Sequence, residues 1–146
     1  MTSIKRSALV PYSAHEMYEL VADIQSYPKF LPWCGGARVM SSVDDEVIAS
    51  ITIAYGGLHK AFTTRNLLQK DKMMDMRMLD GPFSYLQGFW QFNALDERES
   101  KILLDLEFEV ANRLVGVVLT PVFSTIANQL VDSFHHRAVS LYGKRS

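Results

Sequence analysis

The chain of 146 residues has one cysteine, Cys34. A lone thiol makes no internal disulfide and no cysteine zinc site, and it fits a reducing compartment. Neither charge is in surplus: 15 basic and 16 acidic residues leave a formal net charge of -1. That balance gives no global pull toward nucleic acid or anionic lipid, and no DNA partner is expected, although a local basic face stays open. Long hydrophobic runs are missing as well. The longest, Leu114 to Leu119, falls far short of the roughly 20 residues that span a bilayer. The N-terminal MTSIKRSALV has neither a signal-peptide core nor an Arg/Ser-rich amphipathic leader. Repeats, low-complexity tracts and linkers are also lacking. The expectation is one cytoplasmic domain over residues 1–146, long enough to bury about two-thirds of its unfolded surface without staples.

What is present is strand-forming sequence punctuated by turns. Residues 4–10 read as a first strand ended by Pro11. Ser13 and Glu16 have capping-box spacing. The helix they open carries Met17, Leu20, Val21 and Ile24 on one apolar face. Pro28 and Pro32 bracket a second short helical or turn segment with Phe30, Leu31 and Trp33. Residues 37–43, 46–55, 58–68, 72–79, 84–95 and 100–110 then read as six strands. The Gly56-Gly57 pair suits a two-residue hairpin loop with both residues at positive φ. Short turns between successive strands require an antiparallel meander. In the last strand Leu104, Leu106, Phe108 and Val110 alternate with Asp105, Glu107 and Glu109, so one sheet face is dry and the other wet. Met74, Met76 and Met78 alternate in the same way, and Leu86, Trp90, Phe92 and Ala94 share a face.

The C-terminal segment reads as helix from Thr120 as N-cap and Pro121 as first helical residue. Phe123, Ile126, Ala127, Leu130, Phe134, Ala138 and Leu141 form its apolar stripe; Asn128, Asp132, His135 and His136 fall away from it. From 121 to 142 it would be about 33 Å long. The order is an α+β one: a strand, two short helices, six strands and a long helix. A half-wet sheet and one striped helix must bury their apolar faces against each other.

Several strings together resemble one family. They are LVPYSAHEMYELV from Leu9, SYPKFLPWC from Ser26, FTTRN from Phe62, DGPFSYLQGFWQF from Asp80, LDLEFEVANRL from Leu104 and VDSFHHRA from Val131. They look like the coenzyme Q-binding protein family of the START-like superfamily, whose bacterial branch includes the ribosome association toxins. The resemblance implies a helix-grip fold, a curved antiparallel sheet of about seven strands around the long C-terminal helix, with a hydrophobic cavity. It implies two roles: holding ubiquinone or another polyprenyl lipid in support of respiration, or, alternatively, binding the large ribosomal subunit and blocking subunit association. It also implies that no cofactor is required.

Catalytic chemistry is hard to find. His135 and His136 are neighbours on a helix, pointing about 100° apart, and do not pair on a metal as i, i+4 residues do. His15 is expected on the surface, and His59 beside a tight turn. Cys34 has no neighbouring base and reads as buried filler. The acidic row Asp105, Glu107, Glu109 has spacings of about 6.5–7 Å, too wide for one ion. Neither a catalytic set nor a metal site is expected, and a cyclase-type enzyme is disfavoured. The methionine row is different, because flexible thioethers suit an irregular apolar hollow as well as a core. The candidate cavity lining is Leu31, Trp33, Phe62, Met74, Met76, Met78, Trp90, Phe92, Phe108, Phe123, Ile126 and Leu130. The segment Phe30-Leu31-Pro32-Trp33 reads either as a loop anchor or as a lip making transient contact at the inner membrane. Lys5, Arg6, His59, Lys60, Arg65, Arg113, Arg137, Lys144 and Arg145 are scattered and leave RNA contact undecided.

Overall fold

The computed structural model describes residues 1–145. Strand β1 (Thr2–Val10) is followed by helix α1 (Ala14–Ala22) and a 3-10 turn, Ile24–Lys29. Six strands come next: β2 (Cys34–Val43), β3 (Glu46–Tyr55), β4 (Leu58–Gln69), β5 (Met73–Asp80), β6 (Phe83–Ala94) and β7 (Ser100–Val110). Helix α2 (Arg113–Tyr142) closes the chain. All pairings are antiparallel, in the order β1-β7-β6-β5-β4-β3-β2. The meander is therefore as the short turns require, with the first strand returned to the far edge beside the last. This is the curved seven-stranded sheet and long C-terminal helix of the helix-grip fold.

Local signals explain most boundaries. Ser13 Oγ accepts from Glu16 N at 3.0 Å and Glu16 Oε1 accepts from Ser13 N at 2.9 Å, a complete capping box. Gly56 and Gly57 turn the β3–β4 hairpin at φ 54° and 84°. Gly88 has a different reason: a Cβ there would lie 2.5 Å from the Asp105 carbonyl oxygen and 2.7 Å from Leu106 Cδ1. β6 and β7 approach so closely that only glycine fits.

Helix α2 begins earlier than its sequence signals indicate. Asn112 is the N-cap, its Oδ1 accepting from Leu114 N at 2.8 Å and Val115 N at 3.4 Å. Pro121 lies inside the helix, two turns on, rather than at its first position. Thirty residues make a rod of about 45 Å. The added turns carry Leu114 and Val117 into solvent, 83% and 75% exposed. One 18-residue window of α2 is apolar enough to span a membrane, with mean hydropathy 1.7. No single apolar run reveals it, because Thr120, Pro121, Ser124 and Thr125 interrupt the apolar residues without adding charge. In this fold the helix packs on the sheet through Leu119, Phe123, Ile126, Ala127, Val131, Phe134 and Ala138. Leu141 leaves the stripe for solvent near the helix end, and Ala94 is exposed at the end of β6.

Buried side chains fall into two apolar groups. One joins α1, the 3-10 turn and the C-terminal half of α2 around Met17, Tyr27, Trp90 and Phe134. The other joins the earlier part of α2 to Phe62, Phe83 and Phe108. Trp33, Ile51 and Leu130 touch both.

Candidate functional site

At the seam between these two groups the helix and sheet leave a hollow of about 80 Å³. Strands β3 to β7 supply Ile51, Phe62, Thr64, Asn66, Met74, Met76, Leu86, Trp90, Leu104 and Leu106; α2 supplies Phe123, Ile126, Leu130 and Phe134. Ile24 and Tyr27 of the 3-10 turn and Trp33 of the following loop complete the wall. Edge-on ring contacts fix it: Trp90 to Phe134 at 5.3 Å, Tyr27 to Phe134 at 5.4 Å and Phe62 to Phe123 at 6.0 Å between centroids.

Eight of the twelve expected lining residues stand in that wall: Trp33, Phe62, Met74, Met76, Trp90, Phe123, Ile126 and Leu130. Four do not. Leu31 is 1% exposed within the first apolar group. Phe92 lies with it, edge-on to Tyr18 at 5.7 Å. Phe108 packs solidly against Phe83 and Phe123 at 5.9 and 4.8 Å. Met78 shares the inward parity of Met74 and Met76 but packs on the second group, nearer the β5–β6 turn. Parity selects a sheet face; it does not say where along that face the packing opens.

The residues that sequence reasoning missed are the polar ones. Thr64 and Asn66 occupy inward positions of β4 between Phe62 and Leu68, and Asn66 is 1% exposed. Thr64 Oγ1 donates to Asn66 Oδ1 at 3.0 Å. Among the described residues nothing pairs with Asn66 Nδ2, and no side-chain polar atom is both sealed off and unpaired. The amide therefore presents its N–H donors to the hollow. The alternation through FTTRN held this signal: starting from Phe62, every second residue faces inward.

No acid–base pair faces the hollow among the described residues. Tyr27 donates its hydroxyl to the Val21 carbonyl at 2.5 Å, and burial pushes the phenol far above its ordinary pKa. Cys34 is buried, its Sγ 3.3 Å from the Gly36 carbonyl oxygen, and burial raises the thiol so that thiolate is disfavoured. His15 contacts Asp71 through Nδ1 at 2.7 Å and approaches Glu19 through Nε2 at 3.8 Å. These three groups lie within 4.8 Å of one another. The imidazole uses a different nitrogen for each carboxylate, so the arrangement is a surface clasp between α1 and the β4–β5 turn. His135 is half-buried, edge-on to Tyr12 at 6.1 Å, rather than solvated; His136 and His59 are exposed.

The Phe30–Trp33 segment turns inward. Leu31 is buried, Trp33 lines the hollow, and Phe30 lies edge-on to Phe134 at 5.4 Å beneath the Arg137 guanidinium. It anchors a loop. Arg65 pairs with Glu46 at 2.7 Å, and Arg145 grips both oxygens of Glu16 at 2.8 and 3.0 Å.

The profile of a family described as polyketide cyclase / dehydrase and lipid transport matches residues 10–135. The ribosome association toxin RatA of Pseudomonas aeruginosa is 46% identical, over 97% of this chain and 99% of its own length. A mitochondrial coenzyme Q-binding protein homologue of Xenopus laevis is 25% identical, over 95% of this chain but only 59% of its own length. An 18 kDa Caulobacter crescentus protein solved in solution is 30% identical and superposes with a TM-score of 0.77, covering 99% and 100% of the two chains. The Zhui aromatase/cyclase from Streptomyces superposes at 0.82 over 99% of both chains with 16% identity. That last likeness concerns the fold alone.

Proposed function

The chain belongs to the polyketide cyclase / dehydrase and lipid transport family, and from that footing we propose that it is a non-enzymatic, cytoplasmic ribosome-association protein that binds the large subunit and blocks subunit joining. The observation that carries this is the 46% identity, nearly end to end, with a relative named for ribosome association. The wall of the hollow agrees with a non-catalytic role, since its one titratable side chain among the described residues is the buried Tyr27 phenol. The test is cosedimentation with purified large subunits over a salt series, with sucrose gradients of subunit mixtures alongside. Binding at low salt that falls steeply as salt rises, and a loss of joined particles, is the expected result. No cosedimentation at about 50 mM salt would remove the reading.

A second reading places a hydrophobic ligand in the hollow. The unpaired Asn66 amide favours it, as does the more distant coenzyme Q-binding relative. Size restricts it. An apolar protein cavity of roughly 150 Å³ accommodates benzene, and this hollow is about 80 Å³. A substituted quinone ring with a polyprenyl tail enters only if α2 and the sheet part. A small apolar compound with one carbonyl, facing Asn66 Nδ2, needs less adjustment. Native mass spectrometry of the protein, as purified and after addition of short-chain ubiquinone, separates the cases. No retained adduct in either sample would eliminate the ligand reading.

A further inference from the structure

A second concavity lies on the outside of the molecule, where the 3-10 turn and its loop run beside the C-terminal half of α2. It measures about 430 Å³, and its wall includes Lys29, Phe30, Gln129, Ser133, His136 and Arg137. No acidic residue stands in the wall. Lys29, His136 and Arg137 take part in no ion pair among the described residues. The Arg137 guanidinium is held 4.8 Å over the half-buried Phe30 ring. Stacking fixes the plane of the fork and leaves its N–H edges free to donate.

We propose that this groove is where the protein grips ribosomal RNA, through the sugar-phosphate backbone. The inference rests on the ribosome reading and names the surface that serves it. An oriented guanidinium, a flexible ammonium and uncharged donors from Gln129 and Ser133 match a phosphodiester strand: one oriented and one mobile cation for phosphates, amide and hydroxyl for phosphate or 2′-hydroxyl oxygens. The net charge of -1 means that attraction must be local, and here Lys29 and Arg137 share one concavity with no carboxylate in its wall. An anionic membrane fits less well. Surface-bound helices set large exposed apolar side chains beside their basic residues, whereas the one large apolar side chain in this wall, Phe30, is half-buried beneath the Arg137 guanidinium.

The experiment compares three proteins for binding to purified large ribosomal subunits between about 50 and 200 mM salt: the parent, Lys29→Gln/Arg137→Gln, and Lys5→Gln/Lys101→Gln. The last removes the same charge from exposed positions on β1 and β7. Lys29→Gln alone serves as a variant with no part in the Phe30 stack. The groove double variant is expected to bind at least about tenfold more weakly, with a salt slope shallower by roughly two, one per lost phosphate contact. Lys29→Gln should account for about half the slope change, and the β1/β7 control should bind like the parent. If the parent binds and the groove variants bind equally well, or no worse than the control, the groove proposal fails while the ribosome reading stands. If the parent does not bind, both fall. Vesicles containing anionic phosphatidylglycerol form the last arm: loss of vesicle binding in the groove variants with subunit binding intact would assign the groove to lipid and overturn the proposal.

Discussion

Asn66→Leu is the substitution most informative about the interior, because its expected sign is opposite to that of an ordinary core mutation. Asn66 is 1% exposed. Its side chain accepts one hydrogen bond, from Thr64 at 3.0 Å, and its Nδ2 has no protein partner among the described residues. Leucine has the same number of side-chain heavy atoms in the same branching, and the bulkier methyl groups expand toward a hollow of about 80 Å³ rather than against packed atoms. Overpacking is therefore small. The amide donor is unpaired by protein but not sealed from the hollow, so relieving it gains about 1 kcal/mol, the low end for an unsatisfied donor. Giving up the Thr64 bond and leaving that hydroxyl to the hollow costs about 1.5 kcal/mol, and burying the leucine side chain gains about 1.5 kcal/mol. The balance favours leucine by about 1 kcal/mol, or roughly 2–4 °C in Tm for a domain of this size. Urea unfolding monitored by Trp fluorescence reads this directly, with the m value unchanged. A destabilisation of 1 kcal/mol or more at constant m would show that the amide is well satisfied in the native protein, and the argument from its unpaired donor would collapse.

Other substitutions should behave as follows. Trp90→Ala should cost about 3–5 kcal/mol in chemical denaturation, because the indole is 2% exposed and joins Phe92 and Phe134. Gly88→Ala should be severely destabilising or prevent accumulation of folded protein, since its methyl would meet the Asp105 carbonyl oxygen at 2.5 Å; a normal melting curve would contradict that close approach. Pro121→Ala should slow hydrogen exchange across residues 114–120 and raise stability, because an interior proline removes the bond to the Val117 carbonyl. Hydrogen bonding to Arg145 holds the Glu16 carboxyl down from 4.5 to about 2. The stability it adds is fully present above about pH 4.5 and is lost as pH falls toward 2. Urea midpoints of the parent and Glu16→Gln should therefore converge over that interval, and a constant gap would refute the linkage.

The order of elements was legible because two periods dominate the sequence. Alternation through residues 100–110 and 73–80 specified which sheet face is dry, and Ser13 with Glu16 marked a helix start that the hydrogen bonds reproduce. The start of α2 was not legible. Pro121 carries a strong first-turn preference, and nothing local shows that tertiary packing of Leu119 and Phe123 compensates for a proline two turns inside. The lining of the hollow was legible only by face. Phe92 and Phe108 are as inward as Trp90 and Leu104, yet they lie on solid packing to either side of the seam. Asn66 went unnoticed because apolar character alone does not mark a polar residue at an inward strand position.

The two concavities answer different physical demands, and the difference bears on function. The inner one is small, apolar and walled by rings in edge-on contact, so enlarging it means breaking contacts among Trp90, Phe134, Phe62 and Phe123. Displacements there are resisted by close packing. The outer groove needs no such deformation: Lys29 and His136 are already exposed, and Arg137 is already oriented by Phe30. A macromolecular partner therefore meets a nearly preorganised surface, while a bulky lipid has to open the core. Phe134 links the two, touching Trp90 at 5.3 Å on the inner side and Phe30 at 5.4 Å toward the groove. A guest that displaced Phe134 would press on the ring that holds Arg137. Occupancy of the hollow and affinity for the ribosome should accordingly be coupled, and Phe134→Leu, which shortens that link while leaving the groove's cations in place, should reduce the coupling.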